Sequence, residues 1–133
     1  MATRTQARES IVGLLYAYDL GNVNISKFSD EILEDKKIRN KQKDFANALF
    51  KGVIENLDAI DKEIEEHLTK NNIDALGSVE KAILRLAVYE ILFSGLDKPV
   101  IINEAVEIAK KLASDNAPRL INGVLDSIMN KAK

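Results

Sequence analysis

Apolar residues recur along this chain at helical spacing and almost nowhere in strict alternation. Ala7, Ile11, Leu14, Leu15 and Tyr18 stand at i, i+4, i+7, i+8 and i+11, which puts them on one stripe of a helix. Thr3 and Gln6, just ahead of the stripe, fit a capping box, and Gly21-Asn22 marks its end. A short helix is expected from about Phe28 to Asp35. The next should turn Phe45, Ala48, Leu49 and Val53 inward, and the one after it Leu57, Ile60, Ile64 and Leu68, with a break at Asn71-Asn72. Ser78 is a suitable N-cap for a helix carrying Val79, Ile83, Leu86, Ala87, Ile91 and Leu92, which Gly95 closes. Pro99 can open a helix, where its fixed φ helps and its missing N–H costs little, and Ile101, Ala105, Ile108, Ala109 and Leu112 form the stripe behind it. Ser114-Asp115-Asn116 is a cap cluster ahead of Pro118 and of a last stripe made by Ile121, Val124, Leu125, Ile128 and Met129. With no hairpin turn between β-branched runs, the pattern predicts an all-α fold of about seven helices.

Composition narrows the class. The 133 residues are enough for one domain that buries its core without staples. No apolar run approaches the ~20 residues needed to span a bilayer. The N-terminal Met-Ala-Thr-Arg-Thr-Gln has no apolar secretory core, so a cytoplasmic chain is expected. Cysteine is absent, which removes disulfides and thiolate chemistry. The net charge of -2 excludes a strongly basic nucleic-acid binder, yet the charges are segregated. Lys36, Lys37, Arg39, Lys41 and Lys43 form one basic run, with more cations at Lys110, Lys111, Arg119, Lys131 and Lys133. Glu55, Asp58, Asp61, Glu63, Glu65 and Glu66 make an acidic stretch between them.

Catalytic signatures are missing. His67 is the one histidine, and beside Glu65 and Glu66 it reads as a solvated surface residue. There is no usual zinc set, no Walker A loop and no Gly-x-Gly-x-x-Gly. Ser10, Ser94 and Ser114 have no neighbouring base, and Glu107 with Lys111 reads as an ordinary i, i+4 ion pair. No enzyme activity, metal or cofactor is expected.

What remains is binding. RNA recognition needs cations for phosphates and flat or apolar surfaces for bases. Arg4 and Arg8 lie one turn apart, off the buried stripe, and offer two guanidinium forks. Arg119 and Leu120 open the last helix, where free N–H groups add partial positive charge. Asn116 can cap that helix or hydrogen-bond a base. Pattern alone favours the plainer reading, with Arg4 and Arg8 a solvated face and Asn116 only a cap. Tyr16 reads either as peripheral core or as an exposed interface anchor. Glu80 and Glu90 flank an apolar helix and read as surface charges.

Three segments in order go further. They are A-R-E-S-I-V-G-L-L-Y-A-Y-D-L from Ala7, V-E-K-A-I-L-R-L-A-V-Y-E-I-L from Val79, and P-V-I-I-N-E-A-V-E-I-A-K-K-L-A from Pro99, followed by L-I-N-G-V-L-D-S-I from Leu120. In this order and at these intervals the chain resembles the NusB family over nearly its whole length; the stretch from about Gly21 to Lys43 contributes little. The resemblance implies one NusB-like domain over 1–133, as an N-terminal helical bundle of about 1–70 packed on a C-terminal one of about 74–133. It implies no catalysis. It implies binding to boxA RNA of ribosomal RNA operons with ribosomal protein NusE, entry into the RNA polymerase antitermination complex, and assistance to ribosomal RNA maturation. By position, the family's RNA-binding residues fall on Arg4, Arg8, Asn116, Arg119 and Leu120, and its NusE-facing residues on Tyr16 and Glu80. Thr5 and Gln6 depart from an arginine-rich N-terminus, and Leu120 offers apolar contact rather than an aromatic stack.

Two other readings compete. One is a protein-binding helical module or homodimer that hides the RNA face. The other is the RNA-binding domain of a ribosomal RNA methyltransferase, disfavoured because the chain ends at Lys133, soon after the last helix.

Overall fold

The protein is described from a computed structural model that covers residues 3–69 and 72–131. The expected features at Asn71 and Lys133 lie outside those residues. The described residues form seven α-helices: α1 (Arg4–Asp19), α2 (Ser29–Asp35), α3 (Lys41–Glu55), α4 (Leu57–Glu66), α5 (Ser78–Phe93), α6 (Lys98–Leu112) and α7 (Ala117–Lys131). Short 3-10 turns at Val23–Lys27 and Ile73–Ala75 link α1 to α2 and α4 to α5.

The ends of α1 follow from local chemistry. Gln6 N–H donates to Thr3 Oγ1 at 3.1 Å and Thr3 N–H to Gln6 Oε1 at 2.8 Å, the capping box read from sequence. At the other end Gly21 takes φ +106. Its N–H donates to the Tyr18 carbonyl and that of Asn22 to the Ala17 carbonyl, the paired bonds of a Schellman stop. Helix α2 stops the same way with lysine in the left-handed position: Lys37 has φ +62, and Lys37 and Ile38 N–H groups reach the carbonyls of Glu34 and Leu33. Burial of Ile38 and Leu33 offsets that strained backbone.

The basic run is therefore a tight connection between α2 and α3. Glu34 gathers it, with Lys43 Nζ at 2.9 Å and Arg39 Nε at 3.1 Å. The Lys43 hydrogen bond, opposed by desolvation and reinforced by the charges of Lys43 and Arg39, holds the Glu34 carboxyl below its ordinary value of 4.5. A lowered carboxyl stabilises fully above that ordinary value and loses its contribution as pH falls through the lower, folded one. An NMR pH titration should find Glu34 titrating below its ordinary value, and Lys43→Ala should move it back up. A midpoint unchanged by Lys43→Ala would show that the contact does not persist in solution.

Helix α5 sits at the centre and packs against α1, α3, α4, α6 and α7. The buried apolar residues form one cluster, with Ile11, Leu15, Ile60, Ile64, Ile83, Leu84, Ile121, Leu125 and Ile128 among the fully enclosed side chains. Several expectations are corrected. Gly77, not Ser78, precedes α5, because the Glu80 carboxylate folds back over Gly77, where a Cβ would overlap its Oε2. Ala46 and Phe50 take the buried places on α3, and Ala48 is exposed. Leu92 and Leu112 are exposed at their helix ends. Lys111 pairs with Glu9 of α1 at 2.8 Å, while Glu107 pairs with Lys110.

Candidate nucleic-acid interface

The N-terminal half of α1 is tied down by ion pairs. Arg8 Nε donates to Glu90 Oε1 at 2.9 Å and Nη2 to Glu90 Oε2 at 2.8 Å, a two-pronged bond in which Arg8 is 6% and Glu90 2% exposed. Both expectations for this pair are corrected: Arg8 is not on a solvated face, and Glu90 is not a surface charge. Each is buried because each neutralises the other. Burial pulls the guanidinium pKa down, but the Glu90 hydrogen bond and the charges of Glu90 and Glu104 outweigh it and raise it overall. Glu104 lies 3.9 Å from Arg8 Nη1 and accepts from Thr5 Oγ1 at 2.9 Å. Arg4 stays exposed, its guanidinium carbon 4.7 Å from the centre of the Phe45 ring, with that of Arg8 at 5.2 Å.

A second network lies at the opposite end of α1. Lys81 Nζ approaches Asp19 at 3.2 Å, Arg85 Nη1 approaches Asp19 at 3.0 Å, and Arg85 Nη2 approaches Asp61 at 2.7 Å. Burial, then the Asp61 and Asp19 contacts that outweigh it, leave Arg85 raised. Beside Lys81, Glu80 Oε1 accepts from Ser114 Oγ at 3.1 Å, which draws the α6–α7 connection to the start of α5. Here α7 begins, with Pro118 in its first turn and Asn116, Arg119 and Leu120 exposed. The Asn116 carbonyl accepts from the Leu120 N–H at 3.3 Å. Tyr16, 39% exposed, stands one turn before Asp19 and so belongs to this end.

The Ser114–Glu80 bond sets Glu80 beside the connection that carries Asn116 and leads into Arg119 and Leu120, while Arg8 is held at the other end of α5 by Glu90. Glu90 and Glu80, which hold Arg8 and Ser114, are ten residues apart on α5, about 15 Å along a helix axis. Lys111, paired with Glu9 on α1, lies between the two groups in the chain of contacts.

The NusB family matches residues 5–130. The chain belongs to the NusB family. The transcription antitermination protein NusB of Sulfurovum sp. (strain NBC37-1) is 66% identical over 128 residues, covering 96% of this chain and 98% of that protein. NusB of T. maritima superposes with a TM-score of 0.89 at 32% identity, over 98% of this chain and 92% of that one. A chain in a crystal structure of antitermination factors NusB and NusE in complex with double-stranded RNA superposes with a TM-score of 0.86 at 35% identity, over 96% of both. NusB-family proteins are antitermination factors, not enzymes.

Within the NusB frame, three features escaped sequence reasoning. Phe45 looked like core but is half-buried beneath two guanidiniums. Glu90 gave no signal, since its partner is 82 residues away. His67 is not a solvated residue: Nδ1 lies 2.6 Å from Ser127 Oγ, and Nε2 lies 3.5 Å from Glu63 Oε1. That row resembles a nucleophile–base pair, but Ser127 sits mid-helix, where backbone N–H groups are consumed by the helix and none forms an oxyanion hole. It ties α4 to α7. A cleft between α2 and α3, lined by Ser29, Asp30, Asn47 and Phe50 among others, holds none of the predicted site residues, and Asn47 there bonds Ser29 and Asp30. Among the described residues no helix is long and apolar enough to cross a membrane, and no group of acidic or His side chains could hold a metal.

Proposed function

We propose that this chain is an RNA-binding transcription antitermination factor that takes up boxA RNA of ribosomal RNA operons together with NusE, joins the RNA polymerase antitermination complex, and assists ribosomal RNA maturation. The observation that carries the reading is the exposed group Asn116, Arg119 and Leu120 at the start of α7, on the connection that Ser114 ties to Glu80. Similarity to a chain of the NusB–NusE–RNA complex supports it. In this mechanism Arg4 and Arg119 contact phosphates, while Asn116 and Leu120 meet bases. Tyr16 supplies a rigid amphipathic anchor for NusE and Glu80 a negative charge for a basic ribosomal protein. Arg8, with its fork occupied by Glu90, serves RNA through the residues it supports and not as a phosphate ligand.

The test is binding of a labelled boxA-type RNA against a scrambled control at about 0.15 M salt, with and without purified NusE. Selective binding that tightens with NusE is expected. Arg119→Ala should weaken binding to boxA and scrambled RNA alike and flatten the log–log salt slope by about 0.7, as for one lost phosphate contact on a single strand. Absence of selectivity in both conditions would overturn the reading. The alternative of a homodimer with a masked RNA face draws on one observation: Leu92, Phe93, Leu96 and Val100 are exposed around the α5–α6 connection. A light-scattering mass of two chains, with no RNA shift in the presence of NusE, would favour it.

A further inference from the structure

Arg4 and Arg8 share one aromatic ring yet differ in every other respect. Arg8 is buried, and Glu90 occupies its Nε and Nη2. Arg4 is exposed, and Phe45 is the aromatic contact its guanidinium makes, at 4.7 Å from the ring centre. Two guanidiniums around one ring would repel each other if neither had a counter-charge. Here Glu90, with Glu104 3.9 Å away, compensates Arg8, so the ring is left to attract Arg4. Phe45 lies in the first turns of α3, and its half-buried ring also meets buried Arg8, whose guanidinium carbon is 5.2 Å from the ring centre.

We propose that Phe45 is a positioning residue for RNA binding: its ring orders the Arg4 guanidinium so that the N–H edges remain free for a phosphate. A long arginine side chain otherwise loses rotamer freedom when it binds, and prior ordering on a ring reduces that loss. The role brings Phe45 of α3 into the RNA face. It rests on the reading that Arg4 contacts RNA.

Phe45→Leu removes the π face while retaining an apolar side chain, and Phe45→Tyr retains the face. Affinity for boxA-type RNA is measured for wild type, both variants, Arg4→Ala and the Arg4→Ala/Phe45→Leu double variant. Arg4 Nε–H shifts are followed by NMR without RNA. Phe45→Leu is expected to weaken binding about two- to fivefold, the fold-change of one exposed cation–π contact. Phe45→Tyr should restore it, and Phe45→Leu should add nothing once Arg4 is alanine. The Arg4 Nε–H resonance should carry a ring-current shift in wild type and Phe45→Tyr and lose it in Phe45→Leu. Equal weakening by Phe45→Leu with and without Arg4 would overturn the proposal, as a purely structural effect. So would wild-type binding that Phe45→Leu leaves unchanged, with the RNA reading left standing. Wild type that binds no RNA would overturn both, and the NMR shift would then report only whether the Arg4–Phe45 contact forms.

Discussion

Glu90→Ala should lower the unfolding free energy by about 3–5 kcal/mol, the cost of leaving one member of a buried ion pair alone. Arg8 would keep its charge, and its nearest remaining carboxylate would be Glu104 at 3.9 Å. It cannot escape by losing a proton. In the wild type burial lowers its pKa, but Glu90 and Glu104 outweigh it and raise it; without Glu90 the guanidinium still holds its proton, because arginine is not deprotonated in proteins. A raised cation contributes fully below its unfolded pKa and loses that contribution only in strong alkali, so Arg8 itself adds no pH dependence near neutrality. Urea unfolding of wild type and Glu90→Ala should show this as a lower midpoint at unchanged slope. Replacing both partners, Arg8→Met with Glu90→Leu, should recover most of the loss, because no charge remains buried. A loss below about 1 kcal/mol for Glu90→Ala would mean that the pair is open to water. The double variant also bears on RNA. If Arg8 acts only through Phe45 and Arg4, the salt slope of RNA binding stays as in wild type; a slope flattened by about 0.7 would return Arg8 to the phosphate contacts.

The pattern that made the helices legible is local, and so are the features it predicted well. The capping box at Thr3 and Gln6 and the Gly21 stop depend on residues within one turn. The stripe of α1 is visible because burial follows the 3.6-residue period. Helix α5 shows where that logic ends. Its pattern gives Ile83, Leu86, Ala87 and Ile91, but it is buried nearly all round, so Lys81, Arg85 and Glu90 are enclosed as well. Whether a charge can be buried depends on its partner, and Asp19, Asp61 and Arg8 lie 62, 24 and 82 residues from theirs. No window along the sequence contains both members of such pairs.

The candidate site divides along the same line. Arg4, Asn116, Arg119, Leu120 and Tyr16, to which residue type and the family resemblance point, are exposed, as the role proposed for them requires. Arg8 was selected on equal terms with Arg4. Family position records that an arginine stands there, not that its fork is already filled. The distance between the two groups also had no sequence signal, since it depends on the antiparallel placement of α1 and α5. That placement follows from Arg8 meeting Glu90 while Asp19 meets Lys81 and Arg85.

Gly52→Ala should destabilise by about 1–3 kcal/mol, although alanine is the better helix former. Gly52 is buried within α3, and a Cβ there would overlap Cζ and Oη of Tyr89 and lie 2.6 Å from its Cε1. Tyr89 is only partly free to withdraw. Its ring packs against Phe93 at 5.1 Å between centroids, and its neighbours on α5 are buried. Moving the ring would separate that aromatic pair and open the contact between α3 and α5, so the overlap outweighs the gain in helix propensity. The sign is what decides the account. In a Tyr89→Ala background the obstruction is gone, and the same Gly52→Ala change should stabilise by about 0.5–1 kcal/mol, the ordinary advantage of alanine over glycine in a helix. Urea unfolding of the four proteins of this cycle measures both steps. Destabilisation of equal size in both backgrounds would place the cause elsewhere in α3 and remove Gly52 as the notch that seats Tyr89 against it.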